Sequence, residues 1–384
     1  MFRIILGVCL SVLSFSVWAQ TTPPPKAEVK PLMHQFYASM ESLKELASSP
    51  EKFSKKENEA EIGQKLRDLV KLGGQMKQHD GLKTPGFKLS QNTLIQHLSD
   101  LERVYRVGNK SYARWMLKST YFACMSCHSQ LPTADGMKWE MDPKSLSVAG
   151  KPSMDEADFL FATRRFDEAL ASYERLIDGY PGNNLKADEI DAALRKKLTI
   201  FSRIKRDPSK ALLSLEKNSK NQKLPEYLRK NIDAWIAVLR EWQNSPVPDT
   251  AKAKDEEIRN FAEKQLKGSL WDKMIDASDP RLVTYLQVSG VLYEYLDRNP
   301  KTKLAPQILY WLSLCDRQIN NEFFFSLADL YLKDCILSYS KSPFAKQCYK
   351  ELERQTFLSY TGSSGTHIPP EVKDELGRLR KKLK

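Results

Sequence analysis

Two cysteines three positions apart and a histidine directly after them, Cys124-Met125-Ser126-Cys127-His128, stand at the end of a run in which Tyr112, Met116, Thr120 and Cys124 recur every four residues. That recurrence predicts one face of an amphipathic helix, and Leu131-Pro132 just beyond it cannot continue the helix. On a helix, two thiols at this spacing can each bond to a vinyl group of one haem while the next residue offers an imidazole to the iron. The C-x-x-C-H pattern is the attachment signature of a c-type haem. Chance assembly of the pattern from this composition is expected in about one such chain in a thousand. A plain disulfide or half of a zinc site are the competing readings of the same thiols. A zinc site would need a second ligand pair nearby, and none follows in the sequence.

The N-terminus points to an oxidising compartment. Met1-Phe2-Arg3 is followed by an uncharged apolar run from Ile4 to Val17, and Val17-Trp18-Ala19 places small residues where a signal peptidase reads. This predicts a signal peptide over residues 1–19, too short for a comfortable membrane span, then a Pro-rich lead over 20–28 and a periplasmic mature chain. Cys9 would be discarded with the signal. No other long apolar stretch occurs, so no membrane span is expected after signal removal. The chain of 384 residues carries a formal charge of +12, and it stays basic without Arg3. Nucleic acid is not expected as a partner, because no compact Lys/Arg run interleaved with aromatics appears. The charge is read as attraction to an acidic protein partner or to anionic envelope surfaces.

Three helical patterns precede the motif. Leu32, Phe36, Met40, Leu43 and Leu46 mark the first; Ile62, Leu66, Leu69 and Val70 the second; Leu94, Ile95, Leu98, Leu101 and Tyr105 the third. Breaks fall at Ser48-Ser49-Pro50, around Asp80-Gly81 and Pro85-Gly86, and at Gly108-Asn109. Four helices with short or moderate connections describe an antiparallel four-helix bundle over residues 29–132. With its attachment motif near the end of the fourth helix, this segment resembles the class II cytochromes c, the cytochrome c-prime group and its methionine-ligated relatives. The resemblance implies one covalent haem c held by Cys124 and Cys127, with His128 on the iron and a distal residue from the first helix. Counting back along antiparallel helices reaches Met33, the leading candidate for the sixth ligand, with Met40 and His34 as alternatives and an open iron as a fourth. A thioether raises the reduction potential and closes the iron to gases, favouring electron transfer. His79 and His97 are expected at the surface. Arg103, Arg106 and Arg114 could pair with haem propionates, although ordinary exposure is the simpler expectation.

After a linker over 133–154, the pattern over 155–384 stays helical. Phe159 to Tyr180, with Ala169, Tyr173 and Leu176 on one face, looks like a tetratricopeptide helix pair, and similar material returns near Pro300 and Pro343. The expected fold class is therefore all-α, a haem-carrying bundle followed by a TPR-like α-solenoid of the kind that docks protein partners. Cys335 and Cys348 flank the Ser340–Pro343 turn and are expected to form a disulfide, leaving Cys315 buried and unpaired; Cys315 with Cys335 is the alternative pairing. Together these features predict an electron-transfer protein docking a redox partner in the cell envelope. A haem-based sensor of diatomic gases and a scaffold with structural haem are the alternatives. An enzyme ranks last, since no catalytic constellation stands out.

Overall fold

A computed structural model describes residues 29–76, 87–130, 153–182, 185–267, 280–319 and 326–383. The expected signal peptide and Pro-rich lead, His79, Leu131-Pro132 and nearly all of the linker lie outside these residues. The fold is all-α. Among the described residues, strands are confined to a two-residue hairpin, Thr361–Gly362 with Gly365–Thr366.

The first group of helices is α1 (Val29–Leu46), the short α2 (Pro50–Ser54), α3 (Glu59–Met76), α4 (Phe87–Arg106) and α5 (Lys110–His128). α1 packs on α3, α3 on α4 and α4 on α5. The apolar stripes meet in the interior: Leu32, Phe36, Met40 and Leu43 face Ile62, Leu66 and Leu69, and Leu98, Leu101 and Met116 join them. Between α4 and α5 the chain reverses at Gly108, whose φ of +92° lies in the left-handed region that favours glycine. Asn109 then starts α5 by accepting a hydrogen bond from the Tyr112 amide at 3.2 Å.

Two local expectations change. Ser48-Ser49-Pro50 is a helix start as well as a break. The Ser49 hydroxyl accepts from the Lys52 amide and Pro50 takes the first helical position, which drives Phe53 into the core. Tyr112 leaves the expected face of α5: it is 48% exposed and stacks on Trp115 with ring centres 5.5 Å apart. A four-residue step overshoots a full turn by roughly 40°, so the face drifts between Tyr112 and Cys124.

The second half comprises α6 (Met154–Ala162), α7 (Phe166–Asp178), α8 (Ala187–Thr199), α9 (Pro208–Ser219), α10 (Glu226–Gln243), α11 (Asp255–Leu266), α12 (Leu282–Arg298), α13 (Ala305–Ile319), α14 (Ala328–Ser338), α15 (Pro343–Ser359) and α16 (Pro370–Lys381). Neighbours in sequence pair in space: α6 with α7, α9 with α10, α12 with α13 and α14 with α15. Ala169, Tyr173 and Leu176 are fully buried, as their spacing predicts. α8 runs into a π-helical turn, Ile200–Ile204, which packs on α12. Gly290 permits that approach, because a Cβ there would lie 2.7 Å from the Arg203 carbonyl oxygen. The Arg203 guanidinium reaches the Tyr293 hydroxyl, which lies 2.8 Å from that of Tyr331, with Asp316 at 4.0 Å.

Cys335 and Cys348 form a disulfide between α14 and α15, with Cα atoms 6.4 Å apart. Cys315 is buried and unpaired, and burial pushes its thiol pKa up. No described helix is long and apolar enough to cross a membrane. The two halves are in contact. α6 packs on α5, α14 touches α4, and the buried apolar residues from Leu32 to Leu379 form one contiguous cluster.

Candidate functional site

The last turn of α5 brings Cys124, Cys127 and His128 onto the wall of one apolar cavity. The other walls are apolar and come from four further helices: Met33, Phe36, Tyr37 and Met40 from α1, Met76 from α3, Leu94 from α4, and Phe159 and Ala162 from α6. Cys124 and Cys127 are not joined to each other and keep partial accessibility, which opens onto the cavity they line. Burial pushes both thiols up to about 12, the opposite of the lowered values that activate a redox C-x-x-C pair. These are protonated thiols at neutral pH.

His128 Nδ1 lies 2.5 Å from the carbonyl oxygen of Ala162. A carbonyl can only accept, so the proton sits on Nδ1 and Nε2 carries the lone pair. Burial, assisted by the nearby Arg164 guanidinium, holds the imidazole down at about 4. A neutral ring with Nδ1–H tied to a carbonyl is the form in which histidine binds a metal through Nε2.

The Ala162 carbonyl is free because of how α6 ends. Arg164 adopts φ of +64°, its amide bonds to the Phe161 carbonyl and the Arg165 amide to that of Leu160. This is a Schellman closure with arginine in place of the usual glycine. It satisfies two of the four orphan carbonyls at the helix end and leaves Ala162 to accept from His128.

α6 is seated by aromatic and ionic contacts. The Phe159 ring wedges between Tyr37, 5.5 Å away, and Tyr121, 5.7 Å away edge to face. Lys44 Nζ lies 4.8 Å over the Phe159 ring, and Lys118 pairs with Asp155.

Of the expected ligands, Cys124, Cys127, His128, Met33 and Met40 all line the cavity, whereas His34 is exposed and is not part of its wall. Met76, Gln91 and α6 are additions that sequence reasoning missed. Met76 extends the buried Leu69 and Leu72 face of α3, a spacing that could have flagged it. Gln91 is buried on the cavity wall and its side-chain nitrogen has no hydrogen-bond partner.

The other histidine and arginine candidates lie elsewhere. His97 is buried, not at the surface, and its Nε2 lies 3.0 Å from both the Met116 carbonyl and the Thr120 hydroxyl. The polar Thr120 gives the ring a partner inside the core, which hydropathy patterning could not reveal. Arg103 and Arg106 pair with Asp100 and Glu102 on their own helix. Arg114 binds the carbonyls of Ala47 and Ser48. None of the three lines the cavity.

The cavity wall thus brings together two thiols, an imidazole with its lone pair on Nε2, the thioethers of Met33, Met40 and Met76, and an unsatisfied donor at Gln91. Among the described residues, no group of three or more His, Cys, Asp or Glu side chains, Cys124, Cys127 and His128 included, is placed to hold a metal ion by itself. Comparison with known proteins finds no matching family model, no matching characterised protein and no matching solved structure.

Proposed function

We propose that this chain is an exported, periplasmic monohaem c-type cytochrome that transfers electrons. In this reading its N-terminal helices form a class II-like four-helix bundle around the cofactor, and its second half is a TPR-like solenoid that docks a redox protein of the cell envelope. The observation that carries the reading is the convergence of Cys124, Cys127 and His128 on one apolar cavity, with the His128 proton held on Nδ1 by Ala162. Cys124 and Cys127 would hold the haem through thioether bonds, and His128 Nε2 would bind the iron. Met33 is the proposed sixth ligand, with Met40 next; Met76 lines the same cavity. When bound, the haem supplies a one-electron ferric/ferrous couple. The chain's own part is to exclude water with the Phe36, Leu94 and Phe159 walls, and to fix the ring that faces the metal.

Gln91 favours a second reading, a haem protein that binds a diatomic gas. Its unpartnered buried nitrogen offers a hydrogen-bond donor inside the cavity, and distal donors decide whether a haem holds such ligands. An absorption spectrum of the reduced full-length protein, taken with and without carbon monoxide, separates the readings. A spectrum unchanged by carbon monoxide is expected for a methionine-ligated electron carrier, whereas a shifted Soret band supports gas binding. A colourless protein whose mass lacks a covalent haem rejects both.

A further inference from the structure

The carbonyl that orients His128 comes from α6, whose opposite attachment lies in the second half of the chain. One turn before Ala162, the Asp158 carboxylate accepts from Lys196 Nζ at 2.7 and 2.8 Å through its two oxygens. It also accepts from the Tyr173 hydroxyl at 2.6 Å. Tyr173 belongs to α7 and Lys196 to α8. All three are buried: Asp158 is 7% exposed, Lys196 3% and Tyr173 0%. Lys196 Nζ lies 5.1 Å over the ring of Phe122 on the haem-motif helix α5.

We propose that this buried Asp158–Lys196–Tyr173 cluster is a positioning element, through which the second half of the chain sets the orientation and tautomer of the His128 ring. The argument has two physical steps. A buried ion pair with an added hydrogen bond is costly to distort, because moving either partner leaves an uncompensated charge in a low-dielectric interior. The cluster therefore fixes α6 in position along its axis. Asp158 and Ala162 are separated by one helical turn, roughly 6 Å, and the Schellman closure after Ala162 makes that turn stiff. A shift of α6 by a few tenths of an ångström passes directly into the Nδ1–H···O contact. That bond raises the basicity of the imidazole toward a metal at Nε2, so the cluster tunes the iron without touching it. The consequence at iron rests on the cytochrome reading; the hydrogen bond and its control by Asp158 do not.

Two readouts on the full-length chain test this, with three variants. In the haem-free protein, nitrogen-detected NMR of the His128 ring reports its tautomer and the exchange rate of the Nδ1 proton. In the haem-loaded protein, a spectroelectrochemical titration reports the reduction potential. Asp158→Asn is expected to speed Nδ1 proton exchange roughly tenfold, in line with a weakened buried hydrogen bond, and to raise the potential. Tyr173→Phe, which removes only a hydroxyl, does both to a smaller extent and keeps the proposal testable should Asp158→Asn fail to fold. Leu332→Ala, a cavity made in the core of α14, lowers the melting temperature and moves neither readout. The proposal is overturned if the ring proton of the wild type sits on Nε2. Exchange and potential that stay at wild-type values in both cluster variants, or that shift equally in Leu332→Ala, overturn it as well. If no haem attaches, the cytochrome reading fails and the exchange measurement still decides the proposal.

Discussion

At the scale of single residues, burial lowers the pKa of two of the described histidines, and the pH response follows from that. Burial holds His97 below its ordinary value of 6.5, and His128 is held down at about 4. Below pH 6.5 the unfolded chain binds protons that the folded chain refuses, so stability rises with pH and is lost as pH falls through that value. Urea titrations of the haem-free chain between pH 7.5 and 5.5 should show a falling midpoint. His97→Gln should flatten that fall; a slope equal to the wild type would show that His97 does not contribute. That Cys124, Cys127 and His128 share one wall was legible in the sequence, because their spacing sets them on the last turn of one helix. His97 was not, because its partners, the Met116 carbonyl and the Thr120 hydroxyl, lie about twenty residues away on the next helix. Gln91 was invisible for the same reason: nothing local marks a polar side chain that faces a cavity.

Helices were mostly readable from periodicity, while their partners were not. The stripes on α1, α3 and α4 predicted the buried faces, and the symmetric placing of Cys335 and Cys348 about a turn predicted their bond. α6 was legible as a helix, and its apolar run Phe159 to Ala162 is buried. That its Phe159 and Ala162 join a cavity wall with His128 depends on the packing of α6 against α5, which no local pattern records. The π-helical turn is similar. Its contact with α12 rests on one glycine, and Gly290→Ala sets a methyl group 2.7 Å from a backbone oxygen that cannot rotate away. Overpacking of this kind costs about 1–3 kcal/mol. Thermal unfolding of the Gly290→Ala chain should show a lowered midpoint; an unchanged one would mean that the turn and α12 can separate freely.

For the whole molecule, the contiguous core and the shared helix α6 make the two halves interdependent. A chain stopped after Gln130 loses Phe159, Ala162 and the Asp155 partner of Lys118. It should bind the dye ANS strongly and unfold without a sharp transition, as chains with exposed apolar surface and loosened packing do. A cooperative fragment that ignores the dye would show that the first helices close their cavity unaided. The wall that α6 adds to the cavity of Cys124 and Cys127 also bears on biogenesis. Once the chain has closed, those sulfurs are protonated, and Phe159 and Ala162 stand on the cavity wall with them. Were the proposed haem attached there, the chain would offer these thiols most openly after α5 has emerged and before α6 brings Phe159 and Ala162 to the same wall.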